Sequence, residues 1–323
     1  MGRYKLHPDV DRFMGQRCFI CRARLVAVEG PRKRTLEHLI PQWIIRRHGL
    51  TDATVNMGAL GPLRYMDYLL PCCAQCNSHL LAPIERAVSR SLKQNELAGL
   101  AEERLAPWVA KIILGAQAYD RAERLDRSPS TQGERLIRRY LAGLRGQVIV
   151  EHFNQFEYPM SLFWFRTLQR ADPRRNFDFQ VSPYLQALYL RLGHWSFLAR
   201  ADAGYVRRNG AHVFLPFQQA ELAPLQMEEL AAHFFTMAEL AKHDHLVRRE
   251  RLPSGRIRYT HLEMRRREPF YPSSDDGREF LGWFSHFTGA EPSDLLMGPG
   301  RRRTFLPDDS GQLLHCPAEE GWH

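Results

Sequence analysis

Five of the six cysteines in this 323-residue chain lie within one short stretch. Cys18 and Cys21 form one Cys-x-x-Cys pair, and Cys73 and Cys76 form a second pair, which Cys72 directly precedes. Each pair can present two sulfurs to one metal ion, and two pairs complete a tetrahedral site that suits zinc. The spacing therefore predicts a structural Zn²⁺ bound by Cys18, Cys21, Cys73 and Cys76.

Disulfides, a thioredoxin-like redox pair and chance spacing are the alternatives to zinc at these cysteines. The concentration of cysteines in two matched pairs favours zinc. Cys72 is left over from this set. Cys73 is the preferred ligand because it keeps the two-residue spacing to Cys76, whereas Cys72 can substitute for it or pack in the interior.

An acidic residue and a histidine stand between the two cysteine pairs. These are Glu37 and His38, and Asn77 directly follows the last cysteine. A metal ion that joins the pairs would hold Glu37 and His38 beside Asn77. A neutral imidazole can take a proton from water near neutral pH, and carboxylate and amide oxygens bind hard cations. The structural alternative for His38 is an ordinary hydrogen-bonded histidine, but its position between the pairs favours catalysis.

This order of residues resembles the HNH endonuclease family over about a quarter of the chain. The resemblance implies a ββα-metal fold, in which two short strands and a helix hold one divalent cation against a scissile phosphate. It implies that His38 is the general base, and that Glu37 and Asn77 bind a catalytic Mg²⁺ or Mn²⁺. His79 is a further candidate ligand of that ion or a contact of the phosphate, and the structural alternative is an exposed residue at the start of the following helix.

One position departs from the family pattern. Many members carry an asparagine nine positions before the last one, where its backbone orients the catalytic base, but this chain has Tyr68 there, beside Asp67. A backbone carbonyl can still orient the ring of His38, because that bond needs an acceptor and no particular side chain.

The rest of the chain predicts an α+β fold in two domains. Residues 1–145 form the zinc-stapled HNH domain with flanking helices, and residues 146–323 form an α+β domain for targeting or regulation. Glu85 lies on a helix after the second cysteine pair, where we expect a surface or salt-bridge residue in preference to an outer contact of the metal. A hairpin tip is predicted at Arg208-Asn209-Gly210. Helical spacing of apolar residues predicts helices over 42–48, 98–122, 134–145 and 225–242.

Charge and hydropathy limit the partners. The net charge of +9 favours a polyanion, so DNA is the expected partner and RNA is possible. There is no run of eighteen apolar residues and no apolar segment typical of a signal peptide, so we expect no membrane span. Reduced cysteines that bind zinc suit the cytoplasm. Residues 146–323 are a candidate surface for a protein partner.

The sequence therefore predicts a metal-dependent DNA endonuclease that uses water as its nucleophile. A role in antiviral defence or in a mobile element is implied by the resemblance alone. The alternative is a non-catalytic, zinc-stabilised protein that binds nucleic acid or a partner. An RNA-directed nuclease or toxin differs from the first hypothesis only in its substrate.

Overall fold

A computed structural model describes residues 6–56, 62–97, 102–124, 132–144, 160–170, 172–202, 204–240, 245–251, 257–263, 276–298, 301–302 and 304–306. It contains helices and strands, which confirms the α+β fold class. In these ranges no helix is long and apolar enough to cross a bilayer. The α-helices are α1 (Pro8–Met14), α2 (Gln42–Arg47), α3 (Ala82–Lys93), α4 (Glu102–Glu123), α5 (Gln132–Gly143), α6 (Tyr205–Phe214), α7 (Pro224–Leu240) and α8 (Asp276–Thr288).

The strands form one five-stranded sheet and several two-stranded ribbons. In chain order they are β1 (Arg34–His38), β2 (Thr54–Asn56), β3 (Pro62–Arg64), β4 (Leu69–Cys73), β5 (Ser161–Thr167), β6 (Phe177–Ser182), β7 (Ala187–Leu192), β8 (Trp195–Arg200), β9 (Glu221–Leu222), β10 (His245–Arg251), β11 (Ile257–Glu263), β12 (Leu296–Gly298) and β13 (Arg301–Arg302). The ribbons pair β1 with β4, β2 with β3, β10 with β11 and β12 with β13.

The ribbon of β1 and β4 is followed directly by a helix. The two strands are antiparallel, and His38 lies opposite Leu69. A π-helical turn over Gln75–Leu81 then leads into α3. Two strands and a helix therefore occur in the order that the resemblance implies, while the HNH family itself stays a prediction.

Helix α4 lies across this ribbon through three positions one turn apart, Lys111, Gly115 and Tyr119. A Cβ atom on Gly115 would lie 2.5 Å from Leu39 Cδ1, so a larger residue there would force the leucine side chain to move. The Tyr119 hydroxyl donates to the Leu69 carbonyl at 2.6 Å. Close contact at these two positions fixes where the third, Lys111, meets the ribbon.

The five-stranded sheet has both faces covered. Its strand order is β6-β7-β8-β5-β9, and only the β5–β9 pair is parallel. Successive residues of a strand face opposite sides. Accordingly, Leu188 and Leu190 of β7 join the core that contains α4, whereas Ala187 and Tyr189 join a second core with α6 and α7.

One apolar core is shared by the cysteine-containing region and the sheet. Trp108 of α4 is fully buried, and its ring centroid lies 6.3 Å from that of Trp43 in α2 and 5.9 Å from that of Phe197 in β8. The boundary predicted between residues 145 and 146 lies outside the described residues, and the division into two domains stays a prediction.

The predicted hairpin tip at Arg208-Asn209-Gly210 is wrong, because these residues lie inside α6. A Cβ atom on Gly210 would lie 2.3 Å from Met237 Cε in α7. The glycine therefore leaves space for a packed methionine and does not form a turn. The helices predicted over 42–48, 98–122, 134–145 and 225–242 correspond to α2, α4, α5 and α7.

Replacing Leu190 by alanine should destabilise the protein, because Leu190 is fully buried in the core shared by α4 and the sheet. We expect the free energy of unfolding to fall by about 2–5 kcal/mol. Leu168→Ala is the matched control, since Leu168 is 47% exposed, and its effect should stay below about 1 kcal/mol. Denaturant unfolding measures both, and equal effects would contradict this packing.

Candidate metal centre and cleft

The four predicted zinc ligands lie together. The sulfur atoms of Cys18, Cys21, Cys73 and Cys76 are all within 4.8 Å of one another, and those of Cys21 and Cys73 are 3.8 Å apart. Four thiolates at about 2.3 Å from a tetrahedral ion are separated by roughly 3.8 Å. The cluster can therefore hold a metal ion such as zinc, while a disulfide would need sulfurs about 2.05 Å apart.

Local hydrogen bonds shape each cysteine pair. The Cys18 carbonyl accepts from the Arg22 N–H at 2.9 Å, and Arg22 adopts a φ of 60°, so the chain turns back directly after Cys21. In the second pair the Cys76 N–H donates to Cys73 Sγ at 3.4 Å. Because Cys73 ends β4 and pairs with Arg34 of β1, the cluster is tied to the strand that carries the acidic residue and the histidine.

Cys72 is a buried neighbour of the cluster. Its sulfur lies 3.9 Å from Cys18 Sγ. The four sulfurs that all lie within 4.8 Å of one another do not include that of Cys72. We therefore take Cys72 as a packed neighbour of the cluster.

Glu37 and His38 both line one cleft, which has a volume of about 820 Å³. Adjacent residues of a strand normally face opposite sides, but His38 is the last residue of β1, and α2 begins soon afterwards. The cleft is also lined by residues of α2 and α3, among them Gln42, Arg46, Arg47, Glu85 and Lys93.

The ring of His38 is held by the first turn of α2. Gln42 Nε2 lies 3.2 Å from His38 Nε2, and Arg46 donates to Gln42 Oε1 at 3.2 Å. Burial lowers the pKa of His38 to about 4, and the charge of Lys111 acts in the same direction. The half-buried ring is therefore neutral near pH 7 and can accept a proton.

Glu37 is paired with a buried lysine. Lys111 Nζ donates to Glu37 Oε1 at 2.5 Å and to Glu85 Oε1 at 2.7 Å. Burial raises the pKa of Glu37, and the Lys111 charge opposes that effect. Burial alone would lower the pKa of Lys111, but the two carboxylates raise it above its ordinary value, so we take Lys111 as charged. Glu85 is thus a salt-bridge residue at the edge of the cleft.

The other two predicted ligands of the catalytic ion are not among the residues that line this cleft. Asn77 Nδ2 donates to Thr35 Oγ1 at 3.0 Å and to the Leu36 carbonyl at 3.3 Å, which ties Asn77 to β1. His79 is exposed on the π-helical turn. Among the described residues, neither Asn77 nor His79 lines the cleft.

Tyr68, at the position where many family members carry asparagine, supports the ribbon. Its hydroxyl donates to the Val55 carbonyl at 2.8 Å, and its ring packs edge-on against Tyr119 at 5.0 Å between centroids. Its carbonyl accepts from the Leu39 N–H at 2.8 Å. Gln42 is a side chain that contacts the ring of His38.

Sequence reasoning missed the roles of Gln42, Arg46, Lys93 and Lys111. Gln42 and Arg46 follow His38 at intervals of four residues, a spacing that predicts contact only once the helix is known. The sequence around Lys111 is more informative, because this lysine is the single charged residue between Trp108-Val-Ala and Ile-Ile-Leu. A lysine is rarely fully buried without a partner, so this pattern predicts a carboxylate nearby.

No protein-family model, curated protein or solved structure matches the chain. The residues of the cysteine cluster and of the cleft are therefore the basis for its proposed function.

Removing one cysteine of the cluster should remove the metal, whereas removing Cys72 should not. We expect Cys73→Ala to lose its bound zinc and to unfold at a lower temperature, because three thiolates leave the tetrahedral site incomplete. Cys72→Ala is the matched control and should keep about one zinc per chain. Elemental analysis of the purified proteins measures the ratio, and loss of zinc from Cys72→Ala alone would reverse the ligand assignment.

Proposed function

We propose that the protein is a metal-dependent endonuclease that hydrolyses phosphodiester bonds of DNA, with His38 as the general base. The observation that carries the proposal is the placement of a neutral histidine beside the Glu37 carboxylate in a cleft lined by cationic side chains. RNA is the alternative substrate, since its backbone carries the same charge.

His38 is suited to activate water. A general base must be unprotonated and within reach of the proton that it removes. The ring is neutral near pH 7, and Gln42 holds it at the cleft. The described residues that line the cleft include no serine or cysteine that could act as an activated nucleophile. This supports attack by water.

The cleft can bind a phosphate backbone through its cationic side chains. Arg46, Arg47 and Lys93 line the cleft, and all three are exposed. Lysine and arginine that neutralise phosphates supply most of the sequence-independent affinity for nucleic acid. Because they stand on the same cleft as His38, a bound backbone would lie beside the base.

A hard cation completes the proposed chemistry. Glu37 offers the oxygen that Mg²⁺ or Mn²⁺ prefers, Asn77 is the further ligand that the resemblance implies, and His79 is an additional candidate contact. When bound, the ion would neutralise charge on the phosphate during attack. Zinc at the four cysteines has a separate, structural role, and it ties the Cys18–Cys21 turn to the end of β4.

We also propose a cellular compartment and a biological role. A reducing compartment such as the cytoplasm suits the free thiols of the cluster. A defence or mobile-element role rests on the resemblance to HNH endonucleases, and residues 146–323 remain the candidate region for a protein partner.

A second candidate function is a non-catalytic, zinc-stabilised module that binds nucleic acid. One observation favours it. The Glu37 carboxylate is already paired with Lys111, and the Asn77 amide is hydrogen-bonded to β1. In that case the basic cleft would bind nucleic acid without cleaving it.

Replacing His38 by alanine should abolish cleavage and keep binding. We expect plasmid nicking in Mg²⁺ or Mn²⁺ to fall by about 10²–10⁴-fold, because the base is lost, while the affinity for DNA stays within about threefold. His212→Ala is the matched control, since His212 is exposed on α6. Absence of cleavage by the unmodified protein with every divalent ion would favour the binding module.

Replacing Arg46 by alanine should weaken binding to DNA in a salt-dependent way. Loss of one phosphate contact should reduce the slope of log K against log salt by about 1, with little dependence on sequence. Arg124→Ala is the matched control, because Arg124 is exposed and paired with Asp120, outside the cleft. Fluorescence anisotropy over a range of salt concentrations measures both slopes, and equal slopes would exclude Arg46 from the interface.

A further inference from the structure

Lys111 is the least exposed charged side chain beside the cleft. Its relative exposure is 0%, although it lies in the middle of α4. The contact of Gly115 with Leu39 and the hydrogen bond of Tyr119 hold the same face of α4 against the ribbon. The position of the ammonium group is therefore set by the packing of the helix.

The Lys111 ammonium lies between two carboxylates that come from different elements. Glu37 is on β1 and Glu85 is on α3, and their Oε1 atoms lie 2.5 Å and 2.7 Å from Lys111 Nζ. Both carboxylates also line the cleft. Two carboxylates that converge on one point provide the oxygen ligands that a divalent cation prefers. Here the positive charge at that point is the ammonium group of Lys111.

A divalent ion and the ammonium cannot share this point. Removal of one partner from a buried charge pair leaves the other charge uncompensated, which strongly disfavours that arrangement. An ion that binds the Oε1 atoms of Glu37 and Glu85 must therefore displace the Lys111 ammonium group. This requirement conflicts with a simple site made of Glu37, Asn77 and His79.

We propose that Lys111 is a tethered cation that occupies the Glu37–Glu85 carboxylate pair and competes with Mg²⁺ or Mn²⁺ for it. This inference rests on the proposed function, because the competing ion is the one that the proposed endonuclease uses. Lys111 acts through Glu37 and is a positioning residue. The metal requirement of the protein is then set by how readily the ion displaces the ammonium group.

Direct measurement of Mn²⁺ binding tests this competition. The full-length, zinc-loaded protein is titrated with Mn²⁺, and free Mn²⁺ is followed by electron paramagnetic resonance. Lys111→Met should bind Mn²⁺ at least about tenfold more tightly than the unmodified protein, because the competing charge is gone. Adding Glu85→Gln to this variant should remove most of the gain. An unchanged affinity in Lys111→Met would overturn the proposal.

Lys93→Met is the matched control for the charge change. Lys93 lines the same cleft but is exposed, so solvent and salt screen its effect, and its Mn²⁺ affinity should change by less than about threefold. If Lys93→Met gained as much Mn²⁺ affinity as Lys111→Met, the gain would come from removing any positive charge near the cleft. That result would contradict a specific competition by Lys111.

The variant Lys111→Met leaves two carboxylates facing each other without a cation, and this can impair folding. Lys111→Gln is the second variant, since its amide can still donate to one carboxylate. If either variant is unfolded without metal, Mn²⁺ should restore its near-ultraviolet circular dichroism, because the ion replaces the lost charge. No recovery in either variant would overturn the proposal.

Nicking assays on the same samples separate the two proposals. Tighter Mn²⁺ binding by Lys111→Met without cleavage by any sample supports the competition and contradicts the nuclease. Cleavage by the unmodified protein with equal Mn²⁺ affinities supports the nuclease and contradicts the competition.

Discussion

Four sulfur atoms that converge on one point fix the geometry of the whole N-terminal region. Cys21 and Cys73 lie 52 positions apart in the chain, yet their sulfurs are 3.8 Å apart. The link ties the Cys18–Cys21 turn to the end of β4. Strand β4 pairs with β1 in a two-stranded ribbon, which on its own is only marginally stable in water. A bound metal can supply the missing stability, because its binding free energy becomes folding free energy. The cleft exists because this ribbon is held.

The ribbon gains its second support from α4, and here electrostatics and packing act together. Burial of a single ammonium group is costly unless oxygen atoms surround it. Lys111 meets this condition with Glu37 and Glu85, while Gly115 and Tyr119 bring the helix close enough for the contact. The same contact occupies the carboxylate that the resemblance assigns to a metal ion. The Glu37 side chain therefore contributes both to the contact with α4 and to the proposed chemistry.

The sequence predicted features that depend on short spacing. The four cysteines were identified because ligands of one ion recur at fixed local intervals, and α2, α4, α5 and α7 followed from apolar periodicity. Contacts between distant segments were not predictable in this way. Lys111 and Glu37 are 74 positions apart, and no local pattern pairs them. The sequence around Gly210 predicts a turn, but this glycine lies inside α6 and leaves space for Met237.

The core shared by α4 and the sheet has a consequence for the boundary between the two halves. Trp108 packs on Phe197, and Leu190 belongs to the same cluster of buried side chains. A fragment that ended near residue 145 would present this side of α4 to water, and exposed apolar surface of that kind promotes self-association. The strands of the sheet therefore cover an apolar surface of the cysteine-rich half that a truncated chain would leave exposed.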